Sequence, residues 1–236
     1  MKEKEDKVAD QRVQILFGTP VILANLEDQE LNASLEESIL RRRSEHPGFI
    51  RHNRGGWHSD MDFLNWGGDA ARRLALKVLE LADANTFDKA AGPEARHNWF
   101  VEAWANVNEA GALNLPHSHS GSSGCFWSAV YYVKAAAGDG GELVLYDPRG
   151  PAVSMHAPTL SFKNCGGEKE AMLRPSAGML VLFPSWLVHA VSPWKGGNVR
   201  ISVAINLSAQ RRLRSTTIAS SRLTAGSDSA ISEAAP

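Results

Sequence analysis

The chain has 236 residues, 25 basic against 26 acidic side chains, and 43% hydrophobic residues. That length suits one large domain or two small ones with a sizeable core. The balanced charge argues against a nucleic-acid partner and against an anionic membrane surface. No run approaches the ~18 consecutive apolar residues of a spanning helix. Met1–Arg12 is charged and lacks the apolar middle of a signal peptide. Two cysteines, Cys125 and Cys165, are too few for a disulfide scaffold and suit a reducing compartment. The expectation is a cytoplasmic globular protein. A homodimer through the front helices stays open.

Residues 1–12 are polar and expected to be mobile. Val13–Leu26 is apolar with a Gly-Thr-Pro break and predicts a strand pair, or a strand and a turn. Leu31, Leu35, Ile39 and Leu40 recur at helical spacing over Asp28–Arg43, and Pro47-Gly48 ends that helix. Residues 52–68 are rich in Gly, Asn, Asp and Trp and read as an irregular loop. Leu74, Val78, Leu81 and Ala82 form the stripe of a helix over Asp69–Ala84, with Asp69 at its cap.

From Asn98 onward, short β-branched and aromatic runs alternate with turn signals. Strands are predicted near 99–107, 126–134, 141–146, 158–163, 170–173, 178–183, 187–192 and 198–207. The fold class is α+β and mainly β: helices first, then a sandwich, jelly roll or barrel. One domain is expected over 13–208, with its β-core from about 98. The Ser/Thr/Ala-rich segment 209–236 has the composition of a disordered tail.

Three histidines carry the chemistry. His117 and His119 stand two apart in Leu-Pro-His-Ser-His-Ser, and on an extended segment they point to one side. His189 ends the apolar run Phe-Pro-Ser-Trp-Leu-Val-His. Distant strands of this kind lie side by side in a jelly roll, so the three can grip one metal ion and leave other coordination positions open. That is the arrangement of non-haem iron oxygenases, whose usual triad is two His and one carboxylate. Here the third ligand is either His119 or a carboxylate from elsewhere, with Asp147 as the candidate. His58-Ser59-Asp60 is a second His-x-Asp motif, but a loop and a helix follow it rather than strands, so it is read as part of the barrel mouth. Asn114 is read as a strand-edge residue.

Arg200 lies inside the apolar strand Asn-Val-Arg-Ile-Ser-Val-Ala-Ile-Asn, where a cation is costly unless paired. Its fork suits bidentate binding of a carboxylate, and Ser202 faces the same way. Of the adjacent Tyr131 and Tyr132, one must face inward with its hydroxyl seeking a partner. Asn106 alternates with Trp104 on the strand before the histidine motif. Tyr131 and Asn106 are assigned to the co-substrate. Trp57, His58, Tyr132 and Trp186 are assigned to the substrate pocket.

The run Asn114–Leu207 resembles the iron(II)- and 2-oxoglutarate-dependent oxygenases of the double-stranded β-helix fold. The matching pieces are Pro-His-Ser-His, Ser-Ala-Val-Tyr-Tyr-Val, Gly-Gly-Glu-Leu-Val-Leu-Tyr-Asp-Pro-Arg, Gly-Met-Leu-Val-Leu-Phe-Pro-Ser-Trp-Leu-Val-His and Arg-Ile-Ser-Val-Ala-Ile-Asn. Leu-Phe-Gly-Thr-Pro-Val (16–21) and Gly-Gly-Trp-His-Ser-Asp (55–60) resemble a bacterial and phage group of these enzymes whose proximal motif is His-x-His. The resemblance implies a cupin-like jelly roll with Fe(II), 2-oxoglutarate and O2. It also implies His117 and His189 as iron ligands, with Arg200 and Ser202 on the distal carboxylate of 2-oxoglutarate. The reaction the resemblance implies is hydroxylation of an unactivated C–H of a small-molecule or amino-acid-like substrate, with release of succinate and CO2. The alternatives are a three-histidine dioxygenase that needs no 2-oxoglutarate and a metal- or ligand-binding barrel without turnover.

Overall fold

A computed structural model describes residues 14–89, 98–119, 121, 124–136, 138–150 and 169–209. The predicted strand 158–163, the N-terminal residues 1–12 and the tail beyond Ala209 lie outside the described residues. The elements in chain order are β1 (Ile22–Asn25), α1 (Gln29–Glu45), β2 (Asn53–His58), α2 (Phe63–Trp66), α3 (Gly68–Ala84), β3 (Trp99–His117), β4 (Cys125–Lys134), β5 (Leu143–Tyr146), β6 (Glu170–Leu173), β7 (Met179–Pro184), β8 (His189–Val191) and β9 (Arg200–Ala209).

The front of the chain follows its periodicity. Asp28 caps α1 by accepting from the Leu31 amide at 2.9 Å, and Leu31, Leu35 and Ile39 face inward. Asp28 also receives Arg73 of α3 at 2.7 Å, which ties the two helices together. α3 starts one residue earlier than predicted. Its cap is Gly67, and Asp69 sits in the first turn, where a carboxylate still favours the helix dipole. The segment read as an irregular loop, 52–68, instead holds β2 and the short α2. Its glycines misled the reading: Gly55, at φ +71°, sits at the bulge where the register of β2 against β3 shifts.

The strands form one antiparallel sheet in the order β1-β7-β4-β9-β3-β8-β5-β6, with β2 added to β3. It curls into the jelly-roll core of a mainly β, α+β fold. Strand β3 makes the curl. It has 19 residues, about 60 Å if straight. Trp99–Asn108 pair with Ala209–Arg200 of β9, whereas Asn114 and His117 pair with Val191 and His189 of β8. Between these stretches the strand changes partner at Gly111, which has φ +86° and donates its amide to the Trp194 carbonyl at 2.7 Å. A left-handed residue is easily accommodated only as glycine.

The period of two divides the side chains into two cores. Ala103, Ala105, Val107, Trp127, Ala129, Tyr131, Val133, Ile201, Val203, Ile205 and Leu207 face the helices. Tyr132, Leu143, Leu145, Val181, Phe183 and Leu187 fill the inside of the curl. No helix of the described residues is long and apolar enough to cross a membrane.

A methyl at Gly111 would meet no neighbour. The cost of Gly111→Ala is therefore backbone strain alone, about 1–2 kcal/mol. Urea unfolding should show that loss. An unchanged midpoint would mean that the bend does not need glycine.

Candidate active site

His117 and His189 face each other because β3 and β8 pair them in register. Their ring centroids are 4.3 Å apart. His119 follows the end of β3, and its amide donates to the Ser185 carbonyl at 2.8 Å. This anchor brings its ring to 5.2 Å from His117 and 5.1 Å from His189. One ring nitrogen of each lies within 4.8 Å of the others, and no carboxylate among the described residues joins the cluster.

The surroundings fix which nitrogens face one another. The Nδ1 of His117 is 2.8 Å from the Leu115 carbonyl, and that of His189 is 2.9 Å from the Leu187 carbonyl. The Nδ1 of His119 is 2.7 Å from Oδ1 of Asn206, which also accepts from Ser128 at 2.9 Å. A carbonyl only accepts, so each Nδ1 carries the proton and each Nε2 keeps its lone pair. Outer oxygens that orient histidines in this way are characteristic of metal sites. Burial pushes His117 down to about 4 and His189 to about 3, and it also lowers His119. All three are neutral at pH 7 and able to coordinate. Three neutral nitrogen donors with open positions fit Fe(II).

A cavity of about 200 Å³ opens beside His117 and His119. His58 and Trp104 line it as a stacked pair, 5.6 Å between centroids. His52 lies flat on His117, 4.3 Å away and 5° from parallel. Arg51, Met61 and Asn114 complete the mouth. Asn114 is thus a wall of this cavity as well as a strand pairing residue.

Deeper in the curl lies Arg200, 1% exposed. Its Nη1 donates to Asn108 at 3.4 Å and to Ser202 at 3.3 Å, both long contacts. Its Nε and Nη2, the two donors along one edge of the fork, have no hydrogen-bond partner among the described residues. The guanidinium lies over the Tyr132 ring at 5.0 Å, and the buried Tyr132 hydroxyl also lacks an acceptor or donor of acceptable geometry. Burial pushes that hydroxyl up, against the pull of the nearby cation. Gly141 makes this arrangement possible, because a Cβ there would lie 2.8 Å from Arg200 Cδ and 3.1 Å from Nε.

Several expected positions are corrected. Tyr131 belongs to the helix-facing core, and its hydroxyl donates to Asn32 of α1 at 2.5 Å. The tyrosine beside Arg200 is Tyr132, because alternate residues of β4 face opposite ways. Tyr132 therefore stands with Arg200 inside the curl and not on the wall of the cavity. By the same parity Trp57 points away from the cavity and donates to the His46 carbonyl at 2.9 Å, while His58 points in. Asp147 lies outside the histidine cluster and is held by Arg149, whose Nε lies 2.9 Å from it. Asp60 is engaged by Arg42 at 2.6 Å and by Trp66 at 2.9 Å. Trp186 is 47% exposed on the turn before His189 and is not a cavity wall. Asn106 is buried opposite Ser202 and His58. The sequence reading missed His52, Asn108, Ser128, Gly141 and Asn206. Asn206 carried a usable signal: it stands at i+6 from Arg200, hence on the same face of β9.

Residues 102–206 match the family model described as "Putative 2OG-Fe(II) oxygenase". The match runs through the strands that carry His117, His189 and Arg200, and it supports the 2OG-Fe(II) oxygenase superfamily. No curated protein matches the chain. Among solved structures it is similar to a prolyl-4-hydroxylase of Pseudomonas putida, with 20% identity over 81% of this chain and 94% of that one, and a TM-score of 0.56. It is also similar to the non-heme alpha ketoglutarate dependent epimerase SnoN from nogalamycin biosynthesis (16%, 80% and 77%, TM-score 0.57). A third is HygX from Streptomyces hygroscopicus, solved with nickel and 2-oxoglutarate (13%, 80% and 83%, TM-score 0.54). At these identities the likeness is one of fold.

Asn206→Leu should leave the fold intact but free the His119 ring to turn. Fe(II) affinity is expected to fall about 10–100-fold, measured by competition with a chromophoric chelator. Unchanged affinity would show that Asn206 does not orient the ring.

Proposed function

We propose that this protein hydroxylates an unactivated C–H bond of a small or amino-acid-like molecule, with His117, His119 and His189 as the iron ligands. The observation that carries the 2-oxoglutarate role is Arg200, a buried guanidinium whose Nε/Nη2 edge has no hydrogen-bond partner among the described residues. Burying an unpaired charge costs on the order of several kcal/mol. A ligand carboxylate meets that edge with two parallel hydrogen bonds. The Tyr132 hydroxyl and Ser202 stand beside it to satisfy the remaining lone pairs. A direct-binding three-histidine dioxygenase would instead need a substrate carboxylate on this cation.

Fe(II), 2-oxoglutarate and O2 together supply the oxidising power, with succinate and CO2 as co-products. The chain supplies position. His117 and His189 would hold the metal from two paired strands, and His119, just past the end of β3, would complete the set. Asn206, Leu115 and Leu187 keep the ring protons on the far nitrogens. Arg200 would hold the far carboxylate of the co-substrate from β9, the strand paired with the first half of β3. Trp104 and Met61 exclude water from one side of the cavity.

The test is an anaerobic titration with Fe(II) and 2-oxoglutarate, followed by the visible metal-to-ligand charge-transfer band. Wild type should develop the band, and His189→Ala should not. Arg200→Gln should retain Fe(II) yet require at least about 100-fold more 2-oxoglutarate. Iron binding without a band in wild type would overturn the proposal. Gly141→Ala, which presses on the same guanidinium, should also weaken 2-oxoglutarate while leaving iron binding unchanged.

A further inference from the structure

The cavity beside the three histidines has a one-sided chemistry. Its flat walls are His52, His58 and Trp104, and its base is Met61. Among the described residues no Asp or Glu lines it, and the one permanently charged group on its wall is Arg51, at the exposed rim. Among the described residues Arg51 has no ion pair, although seven other arginine and lysine side chains of the same fold, such as Arg42, Arg43 and Arg73, do pair with acids. Its charge is felt inside the cavity. His58 loses proton affinity chiefly by burial, and the Arg51 cation lowers it further.

Arg51 is held in place by its backbone. Its amide donates to Asn53 Oδ1 at 2.7 Å, and the Asn53 amide group donates to Gly56 at 2.7 Å and Phe49 at 3.3 Å. The next residue, His52, accepts at its carbonyl from Leu115 at 2.9 Å and lies flat on His117. The rim cation is thus tied to the metal-site strand through one residue. Arg200 is not a wall of this cavity, so the molecule carries two separate cationic sites, one buried in the curl and one at the mouth.

We infer that the substrate is a small carboxylic acid, whose carboxylate is taken by Arg51 and whose flat or apolar body lies against Trp104 and His52 beside the three histidines. This rests on the oxygenase reading for what happens to the acid, but not for its binding. The volume of about 200 Å³ is below the ~300–1,000 Å³ of drug-sized sites and keeps the class small. An amine would meet a cation and no acid, and an amide would forgo the charge-assisted pair.

The test uses three matched probes: phenylacetate, phenylacetamide and phenethylamine. Each is titrated against the metal-free protein by thermal shift, and anaerobically against the Fe(II)–2-oxoglutarate form by displacement of the charge-transfer band. In both, phenylacetate should bind at least about tenfold more tightly than the amide, and the amine should not bind. Arg51→Gln should abolish the preference for the acid while leaving the 2-oxoglutarate requirement unchanged. Arg51→Lys should keep part of it. Equal binding of acid and amide, or an acid preference that survives Arg51→Gln, would overturn the inference. So would a raised 2-oxoglutarate requirement in Arg51→Gln, which would make Arg51 an anchor of the co-substrate. Acid preference in the metal-free protein without any charge-transfer band would uphold the acid pocket and sink the oxygenase reading instead.

Discussion

Everything in the site depends on one long strand changing partner. Along its first half β3 is zipped to β9, which sets Asn108 opposite Arg200 and Asn106 opposite Ser202. Past Gly111 it is zipped to β8, which sets His117 opposite His189. Because the same strand supplies both registers, the Arg200 end and the histidine end cannot slip relative to each other. A one-residue slip would turn every inward polar group outward. The bend at Gly111 therefore fixes the spacing between two functional groups as well as the curvature of the sheet.

The second organising fact is how polar groups enter an apolar interior. Arg200, Ser202 and Asn206 share one face of β9, while Ile201, Val203, Ile205 and Leu207 fill the core beneath the helices. Asn206 is paid for by two donors, Ser128 and the His119 ring. Ser202 receives one donor, also a long contact. Only the Nε/Nη2 edge of Arg200 and the Tyr132 hydroxyl stay unmatched on this face. Such orphaned groups are rare in folded proteins and call for an explanation. A co-substrate with a carboxylate at the correct end answers both at once.

Much of this was legible in the sequence. The helices showed in the spacing of Leu31, Leu35, Ile39 and of Leu74, Val78, and most strands of the core showed as alternating runs. The three histidines stood out because His-x-His and a strand-ending histidine are unusual in such runs. What the sequence did not carry was parity and partnership. Tyr131 and Tyr132 are chemically alike, and only the helix packed on β4 decides which of them faces Asn32 and which faces Arg200. Trp57 and His58 differ in the same way. Gly141 reads as a turn glycine, and nothing local reveals that a guanidinium from a strand some sixty residues away fills the space its side chain would take. His52 looked like part of a loop until β2 laid it on His117.

The central claim is that one curled sheet holds a metal on three neutral histidines and a carboxylate on a buried arginine. The most direct measurement is a crystal structure of the protein soaked anaerobically with Mn(II) and 2-oxoglutarate. The account predicts Nε2 of His117, His119 and His189 on the metal, with the distal carboxylate on Nε and Nη2 of Arg200. A metal bound by a carboxylate side chain in place of one of these histidines, or 2-oxoglutarate seated away from Arg200, would contradict it.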